Sequence, residues 1–283
     1  MTRAAVVVIL VVVSVVLGGQ RSSATNAVAP ERTLRVCADP NNLPFSNQKR
    51  EGFENRLAEI VAAELHARVA YTWWAQRRGF VRNTVKAGAC DVLMGVPVGF
   101  DMTLVTKPYY RSSYVFVSRR GDHVHVRSLD DPVLRRVRVG VQLVGNDGQN
   151  TPPAHALAAR GVIANVVGYT LYGNYVDPNP PARIIEAVAR GDIDIALVWG
   201  PLAGYHAPRQ STPLVIRPVT PQIDRTRMPL AFDIGVGVSR AHPELREEIN
   251  AVLKHKQAEI ARLLDEYGVP RVVAPAQGGA HAR

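Results

Sequence analysis

Early in the chain, the hydrophobic pattern changes from a short apolar run to a helical repeat. Residues 34–38 read LRVCA and are typical of a buried strand. A loop rich in Asp, Asn and Pro follows, after which Phe53, Leu57 and Val61 recur at helical spacing. Strand, loop and helix in this order predict the first half of a βαβ unit. Because such loops face the ligand crevice of open α/β sheets, we expect residues 39–46 to form one wall of a cleft.

The same alternation continues along the chain and divides it into two halves. The predicted strands of the first half cover residues 34–38, 69–74, 90–95 and 114–118, and its helices cover 52–65 and 80–87. The second half has strands at 137–142, 164–169 and 192–199 and helices at 152–159 and 184–190. A strand at 230–239 is expected to return to the first half, and one long helix, 243–267, follows it. This order predicts parallel sheets with right-handed crossovers, arranged as two α/β lobes.

A short repeated motif supports two similar lobes. Gly88 and Asp91 have the same three-residue spacing as Gly191 and Asp194, and each pair leads into an apolar strand. In this interpretation, the glycine ends a helix and the aspartate turns the chain into the strand.

The first 27 residues are predicted to be a secretory signal peptide. Arg3 supplies a positive start, residues 4–17 are apolar, and Ser22, Ala24 and Ala27 offer small residues for cleavage. A retained membrane anchor is the alternative, although the apolar run is short for a membrane span. After cleavage we expect no membrane-spanning segment.

The composition is globular and basic. Hydrophobic residues make up 47% of the chain, charged residues make up 20%, and the formal net charge is +10. A basic surface of this kind is either simply solvated or steers an acidic partner or an anionic ligand. A nucleic-acid partner is not expected, because the chain has a signal for export and carries no recognisable nucleic-acid-binding motif.

The two cysteines leave two alternatives open. Export implies an oxidising compartment, in which Cys37 and Cys90 can form a disulfide if their strands are neighbours. Otherwise they are two buried thiols. Neither the cysteines nor the eight histidines have metal-ligand spacing, so no metal site is expected.

The candidate site residues follow predicted strands and are polar, cationic or aromatic. They are Asp39, Asn41, Phe45, Arg77, Arg78, Tyr109, Asp147 and Trp199. The paired arginines could clamp an anion or lie on a solvated edge. Asp147, in a glycine-flanked loop, contacts the cleft or caps a helix. Aromatic residues usually belong to the core, but their concentration near strand ends favours a broad recognition surface.

Several long runs resemble the MxaJ/XoxJ family, within the type II periplasmic solute-binding proteins. They are CADPNNLPFSN, TWWAQRRGFVRNT, CDVLMGVPVGFDM, KPYYRSSYVFVSR, GNDGQNTPPAHALAARG and DIALVWGPLAGY. The resemblance covers nearly the whole mature chain. It implies two α/β lobes, each a mostly parallel sheet flanked by helices, with a cleft between them. The first lobe would comprise residues 28–118 with 232–272, the second 119–231, and 273–283 would form a flexible tail.

The resemblance also implies a function. Members of this family accompany periplasmic, PQQ-dependent methanol dehydrogenases and are similar to binding proteins. The chain would therefore be a periplasmic accessory protein and not an enzyme, without a cofactor of its own. It would bind the dehydrogenase or assist its maturation, and the cleft would hold a peptide or a small polar ligand.

One departure bears on the ligand. Amino-acid-binding relatives carry Thr-x-x-Arg shortly before the Pro-Tyr-Tyr crossing, where the arginine holds the ligand carboxylate. Here residues 99–104 read GFDMTL and contain no arginine. Free amino acids are therefore not expected as ligands, unless Arg77, Arg78 or Arg111 compensates. Two alternatives remain: solute capture for an ABC importer, and an enzyme of the dehydratase type that uses Asp39 and Asp147 as acid and base.

Overall fold

The structure is a computed structural model that describes residues 32–122, 124–144, 150–170 and 175–275. The predicted signal peptide, Asp147 and most of the predicted tail lie outside the described residues. No helix among the described residues is long and apolar enough to cross a membrane.

The first half of the fold alternates strands and helices as predicted. Its elements are β1 Arg32–Ala38, β2 Asn41–Asn42, β3 Ser46–Asn47, α1 Phe53–Glu64, β4 Ala67–Trp73, α2 Phe80–Asn83, β5 Val92–Pro97, β6 Leu104–Val105 and β7 Tyr110–Arg119. The apolar positions of α1 are buried, among them Phe53, Leu57 and Val61. Their helical spacing is what turns one face of α1 towards the sheet.

The second half contains more elements than the hydrophobic pattern predicts. It comprises β8 Val139–Leu143, α3 Pro152–Ala158, β9 Val166–Thr170, α4 Arg183–Arg190, β10 Ile195–Trp199, α5 Gly200–His206, β11 Leu214–Pro218, β12 Ala231–Val238, α6 Pro243–His255 and α7 Gln257–Glu266. The predictions omitted α5 and β11. Both are short, and α5 starts with Gly-Pro directly after a strand, so neither shows a clear repeat.

All of the larger strands belong to one ten-stranded sheet, which two antiparallel strands hold together. The order is β4-β1-β5-β12-β7-β10-β8-β9, with β11 paired to β7 and β6 paired to β12. β1 is parallel to β4 and β5, and β8 is parallel to β9 and β10. Strand β7 pairs with β12 through Tyr110–Ser113 and with β10 through Tyr114–Ser118. The predicted α/β fold with two mostly parallel lobes is confirmed, and the predicted boundaries at residues 118 and 231 fall within β7 and β12.

Buried apolar side chains cover both faces of each half of the sheet. In the first half, one cluster packs α1, α6 and α7 on the strands, and a second surrounds Cys37, Phe80 and Cys90. In the second half, α4 and α5 cover one face, while Leu134, Leu157 and neighbouring residues cover the other. The first of these clusters reaches the junction of the halves, where Tyr110 and Ile234 belong to it.

The repeated Gly and Asp motif marks a shared structural device. Arg35 in β1 forms an ion pair with Asp91 and donates from Nη1 to the Gly88 carbonyl at 3.0 Å. In the second half, Arg138 bonds to Asp194 at 2.8 Å and donates to the Gly191 carbonyl at 2.7 Å. Each arginine thus joins the glycine of the preceding turn to the aspartate just before the following strand.

Two helix predictions were wrong in extent. The helix predicted at 80–87 ends at Asn83, where the Thr84 hydroxyl donates to the Phe80 carbonyl at 2.7 Å and the backbone leaves helical angles. The helix predicted at 243–267 is divided at Lys256 into α6 and α7. Lys256 Nζ bonds Glu64 of α1 at 3.2 Å, and both helices contact α1.

The two cysteines form a disulfide. Cys37 of β1 is joined to Cys90, just before β5, and both residues are buried. Of the two alternatives open from the sequence, the structure contains the bonded one. The disulfide thus links the neighbouring parallel strands β1 and β5, close to the loop that follows β1.

Candidate ligand-binding cleft

A cavity of about 390 Å³ lies where the two halves meet. Its most prominent walls are aromatic side chains: Phe45, Tyr110, Tyr114, Trp199 and Phe232. Tyr110 and Tyr114 are four residues apart on β7, so they point to the same face of that strand. Trp199 ends β10, and its indole lies 5.4 Å from the Tyr114 ring and 5.9 Å from the Phe232 ring. Strands from both halves therefore supply one continuous aromatic surface.

Among the described residues that line this cavity, Glu54 is the only acidic or basic one. It lies in the first turn of α1, where the helix dipole favours a carboxylate. The side chain is nevertheless half-buried, and desolvation by the surrounding protein raises the pKa of its carboxyl group from 4.5 to about 8. At neutral pH this carboxyl group is therefore mostly protonated.

Gly95 provides the room that Glu54 occupies. A Cβ atom at position 95 would lie 2.1 Å from Glu54 Oε1. A second cavity, of about 220 Å³, adjoins Glu54 and Gly95, and its other lining residues include Cys37, Asp39, Phe80 and Phe100. Because both cavities include Glu54 and Gly95, the carboxyl group stands between them.

Several amides complete the polar part of the wall. Asn42 Nδ2 donates to Gln76 Oε1 at 2.9 Å, and the Thr151 hydroxyl donates to the Gln142 carbonyl at 2.9 Å. Among the described residues, the side-chain oxygens of Asn42 and Asn150 have no donor. These two oxygens are therefore left as acceptors in the cavity wall.

Comparison with known proteins identifies the family. The chain is 31% identical over 256 residues to Protein MoxJ of Methylorubrum extorquens, an alignment that spans 88% of this chain and 85% of that protein. The chain belongs to the MoxJ family. No family model matches the sequence.

Solved structures agree with this assignment. The periplasmic binding protein XoxJ from Methylobacterium extorquens AM1 is 35% identical, with a TM-score of 0.69 over 85% of this chain and 100% of that one. MxaJ from Methlophaga aminisulfidivorans MPT is 24% identical, with a TM-score of 0.70 over 84% of this chain and 100% of that one, and shows the shared fold. The MxaJ/XoxJ resemblance read from the sequence runs is confirmed.

The cleft of this MoxJ-family protein contains two of the predicted site residues, Phe45 and Trp199. Tyr109 was expected there as well, but its neighbour Tyr110 lines the cavity instead. The Tyr109 hydroxyl donates to the Met94 carbonyl at 2.9 Å, and its ring packs on the core of the first half. Tyr109 precedes β7, and its ring lies 5.0 Å from the Tyr110 ring without lining the cavity.

Asp39 has a structural role in its loop. One carboxylate oxygen accepts the Asn41 N–H at 2.8 Å and the other accepts the Gln76 N–H at 2.6 Å. Burial raises the pKa of Asp39, and these two backbone donors oppose that rise. Since both oxygens are engaged, Asp39 is poorly arranged for acid–base chemistry, and its suggested partner Asp147 lies outside the described residues.

Asn41 and Arg77 line a different, more exposed cavity of about 630 Å³ beside Trp74 and Tyr175. Asn41 also joins the halves, because its Nδ2 donates to the Asp177 carbonyl at 2.9 Å. Arg78 is exposed next to Arg77. The predicted residues are therefore spread over adjoining cavities around the first loop.

The sequence interpretation missed Glu54, which is the most distinctive group of the MoxJ-family cleft. A signal was present: an acidic residue stands between Phe53 and Asn55, both buried, in the first turn after the cleft loop. Tyr110 was counted among the aromatic residues near strand ends but not as a site residue, and Phe232 was missed, because their faces depend on the register of β7 with β12.

Proposed function

We propose that this protein is a periplasmic accessory factor of a PQQ-dependent methanol dehydrogenase and that its cleft binds a segment of that enzyme. The proposal follows from membership of the MoxJ family and the role that the sequence resemblance implies. It assigns no reaction and no cofactor to the protein itself. Cleavage of a signal peptide at about residue 27 would release it into the periplasm.

The observation that carries the proposal is the aromatic character of the cleft. Aromatic rings on both halves form a wide apolar surface of the kind that anchors protein segments. The described lining residues include no arginine to hold the carboxylate of an amino acid. Arg111, which could have compensated, is held by Asp233 at 2.8 Å and Gln222 at 3.0 Å.

Association between the purified mature protein and the dehydrogenase tests the proposal. We expect binding that weakens at least tenfold in Phe45→Ala, because Phe45 lies in the cleft wall. Trp74→Ala is the matched control, since Trp74 is 40% exposed and lies outside that cavity. Absence of association with the dehydrogenase, whether loaded with cofactor or not, would contradict the proposal.

A second candidate is the solute-binding component of an ABC importer. The cavity volume favours it, because about 390 Å³ is within the range of small-molecule sites. Calorimetry with a panel of polar metabolites separates the two candidates. A ligand with a Kd below about 1 μM, together with no dehydrogenase association, would favour transport.

A further inference from the structure

We propose that the cleft recognises an alkylammonium group, with Glu54 as its counter-ion and the rings of Tyr110 and Trp199 as its walls. This inference deepens the proposed function and rests on it for the source of the ligand. The group is either the side chain of a lysine in a bound protein segment or a free aliphatic amine.

The first argument is the isolation of Glu54. Among the described residues, no hydrogen-bond donor or cation lies within bonding distance of its carboxyl group. Several other acidic groups are paired, among them Asp194 with Arg138, Asp224 with Arg160 and Glu64 with Lys256. A desolvated carboxyl group without a partner is costly to keep charged, so a cationic ligand would supply what the fold leaves out.

The second argument is the aromatic surface around this acid. Ring faces attract cations within about 6 Å, and cages of several rings recognise alkylated ammonium groups. Tyr110 is close enough to Glu54 for the carboxylate to contribute to the raised pKa of the phenol, after the larger effect of burial. Trp199 also bonds this phenol, and Glu54, Tyr110 and Trp199 all line the same cavity.

The third argument is the charge of possible ligands. An anion would meet Glu54 and no described basic side chain in the cavity wall. A neutral ligand would leave the half-buried Glu54 carboxyl group without a counter-ion. An ammonium group offers both positive charge and N–H donors, and the cavity wall holds the Asn42 and Asn150 side-chain oxygens, which accept no hydrogen bond from the described residues.

Binding of a cation should be coupled to the loss of a proton from Glu54. The free Glu54 carboxyl group has a pKa of about 8, so it must lose a proton before it can pair with a cation. Below pH 8 the apparent affinity should therefore rise about tenfold per pH unit and then level off above pH 8. Close to one proton should be released per ligand bound at pH 7, and almost none at pH 9.

Calorimetry of the purified mature protein tests this directly. The probes are tetramethylammonium and n-butylammonium chloride, with n-butanol and butyrate as neutral and anionic controls. We expect the two cations to bind with the stated proton release, measured in buffers of different ionisation enthalpy, and the controls not to bind. Failure of both cations to bind, or equal binding of n-butanol, would overturn the inference.

Two variants of α1 make the test specific. Glu54→Gln should abolish cation binding and its pH dependence while circular dichroism stays unchanged. Glu59→Gln is the control, because Glu59 is exposed on the same helix, and it should bind as the wild type does. Unchanged cation binding by Glu54→Gln would place the cation elsewhere and contradict the inference.

Two further comparisons distinguish a protein lysine from a free amine, and this inference from the proposed function. Binding of N-acetyl-lysine methylamide would indicate a lysine in a protein segment, whereas binding of n-butylammonium alone would indicate a free amine. Dehydrogenase association without cation binding would refute this inference and leave the proposed function in place. Cation binding without dehydrogenase association would refute the proposed function and leave the cation site in place.

Discussion

The carboxyl group of Glu54 lies against Gly95 and fills the space that a side chain at position 95 would need. A Cβ on Gly95 would lie 2.1 Å from Glu54 Oε1, and no backbone atom would obstruct it. Glu54 has a flexible side chain, so it can move aside without disturbing the sheet. Position 95 therefore controls where the acid lies.

We predict that Gly95→Ala folds normally and binds n-butylammonium at least tenfold more weakly. The added methyl group displaces the Glu54 carboxyl group without removing its charge. Calorimetry measures the affinity, and urea unfolding checks that stability changes little. If Gly95→Ala bound the cation as the wild type does, the position of Glu54 would not matter for recognition.

The sequence predicted the fold well where burial follows a simple period. Phe53, Leu57 and Val61 marked α1, and the Gly and Asp spacing marked the two lobes, because local patterns determine both. The site was harder to predict, since its residues are brought together by long-range strand register. Tyr110 lines the cleft and Tyr109 does not, a difference set by the pairing of Tyr110 with Ile234 of β12.

A close helix approach leads to a second prediction. A Cβ on Gly204 of α5 would lie 1.9 Å from the Gly268 carbonyl oxygen, which belongs to backbone and cannot rotate away. We expect Gly204→Ala to lower the free energy of unfolding by about 1–3 kcal/mol. Gly121→Ala is the control, because a Cβ there would meet no atom within 4 Å. Equal urea midpoints for the two variants would contradict this packing.

A buried ion pair gives a third prediction. Arg160 Nη2 bonds Asp224 Oδ1 at 2.6 Å, and the two side chains are 4% and 2% exposed. Arg160→Met leaves Asp224 charged and buried, so we expect a loss of about 3–5 kcal/mol in urea unfolding. Replacing both partners, with Asp224→Leu added, should recover much of the loss. Arg190→Met, in an exposed pair with Asp192, should change stability by less than about 1 kcal/mol.

The same pair determines part of the acid sensitivity. Burial acts to raise the pKa of Asp224, but bonds from Arg160 and Thr226 outweigh it and hold the pKa well below its usual value. The resulting stability is present above the unfolded value near 3.8 and is lost as the pH falls towards the folded value. The double variant should therefore lose less stability than the wild type between pH 4 and pH 2. Parallel pH curves for the two proteins would contradict this assignment.

A histidine between the halves gives the last prediction. His206 of α5 is 3% exposed, and its Nε2 lies 3.1 Å from the Leu43 carbonyl of the cleft loop. Burial lowers its pKa from 6.5 to about 4, a fall to which Arg209 adds and which the Leu43 contact opposes.

Below pH 6.5 the unfolded chain binds a proton at His206 that the folded chain does not, so the folded protein should lose stability from pH 6.5 down to pH 4. The loss expected from this one group is on the order of 3 kcal/mol. His206→Gln removes the titration while retaining a donor for Leu43, so its stability should depend less on pH across that window. His66→Gln, at an exposed position, should retain the wild-type slope. If His206→Gln also retained it, the pH dependence would have to arise from other groups, and the contact between α5 and the cleft loop would not be pH-sensitive.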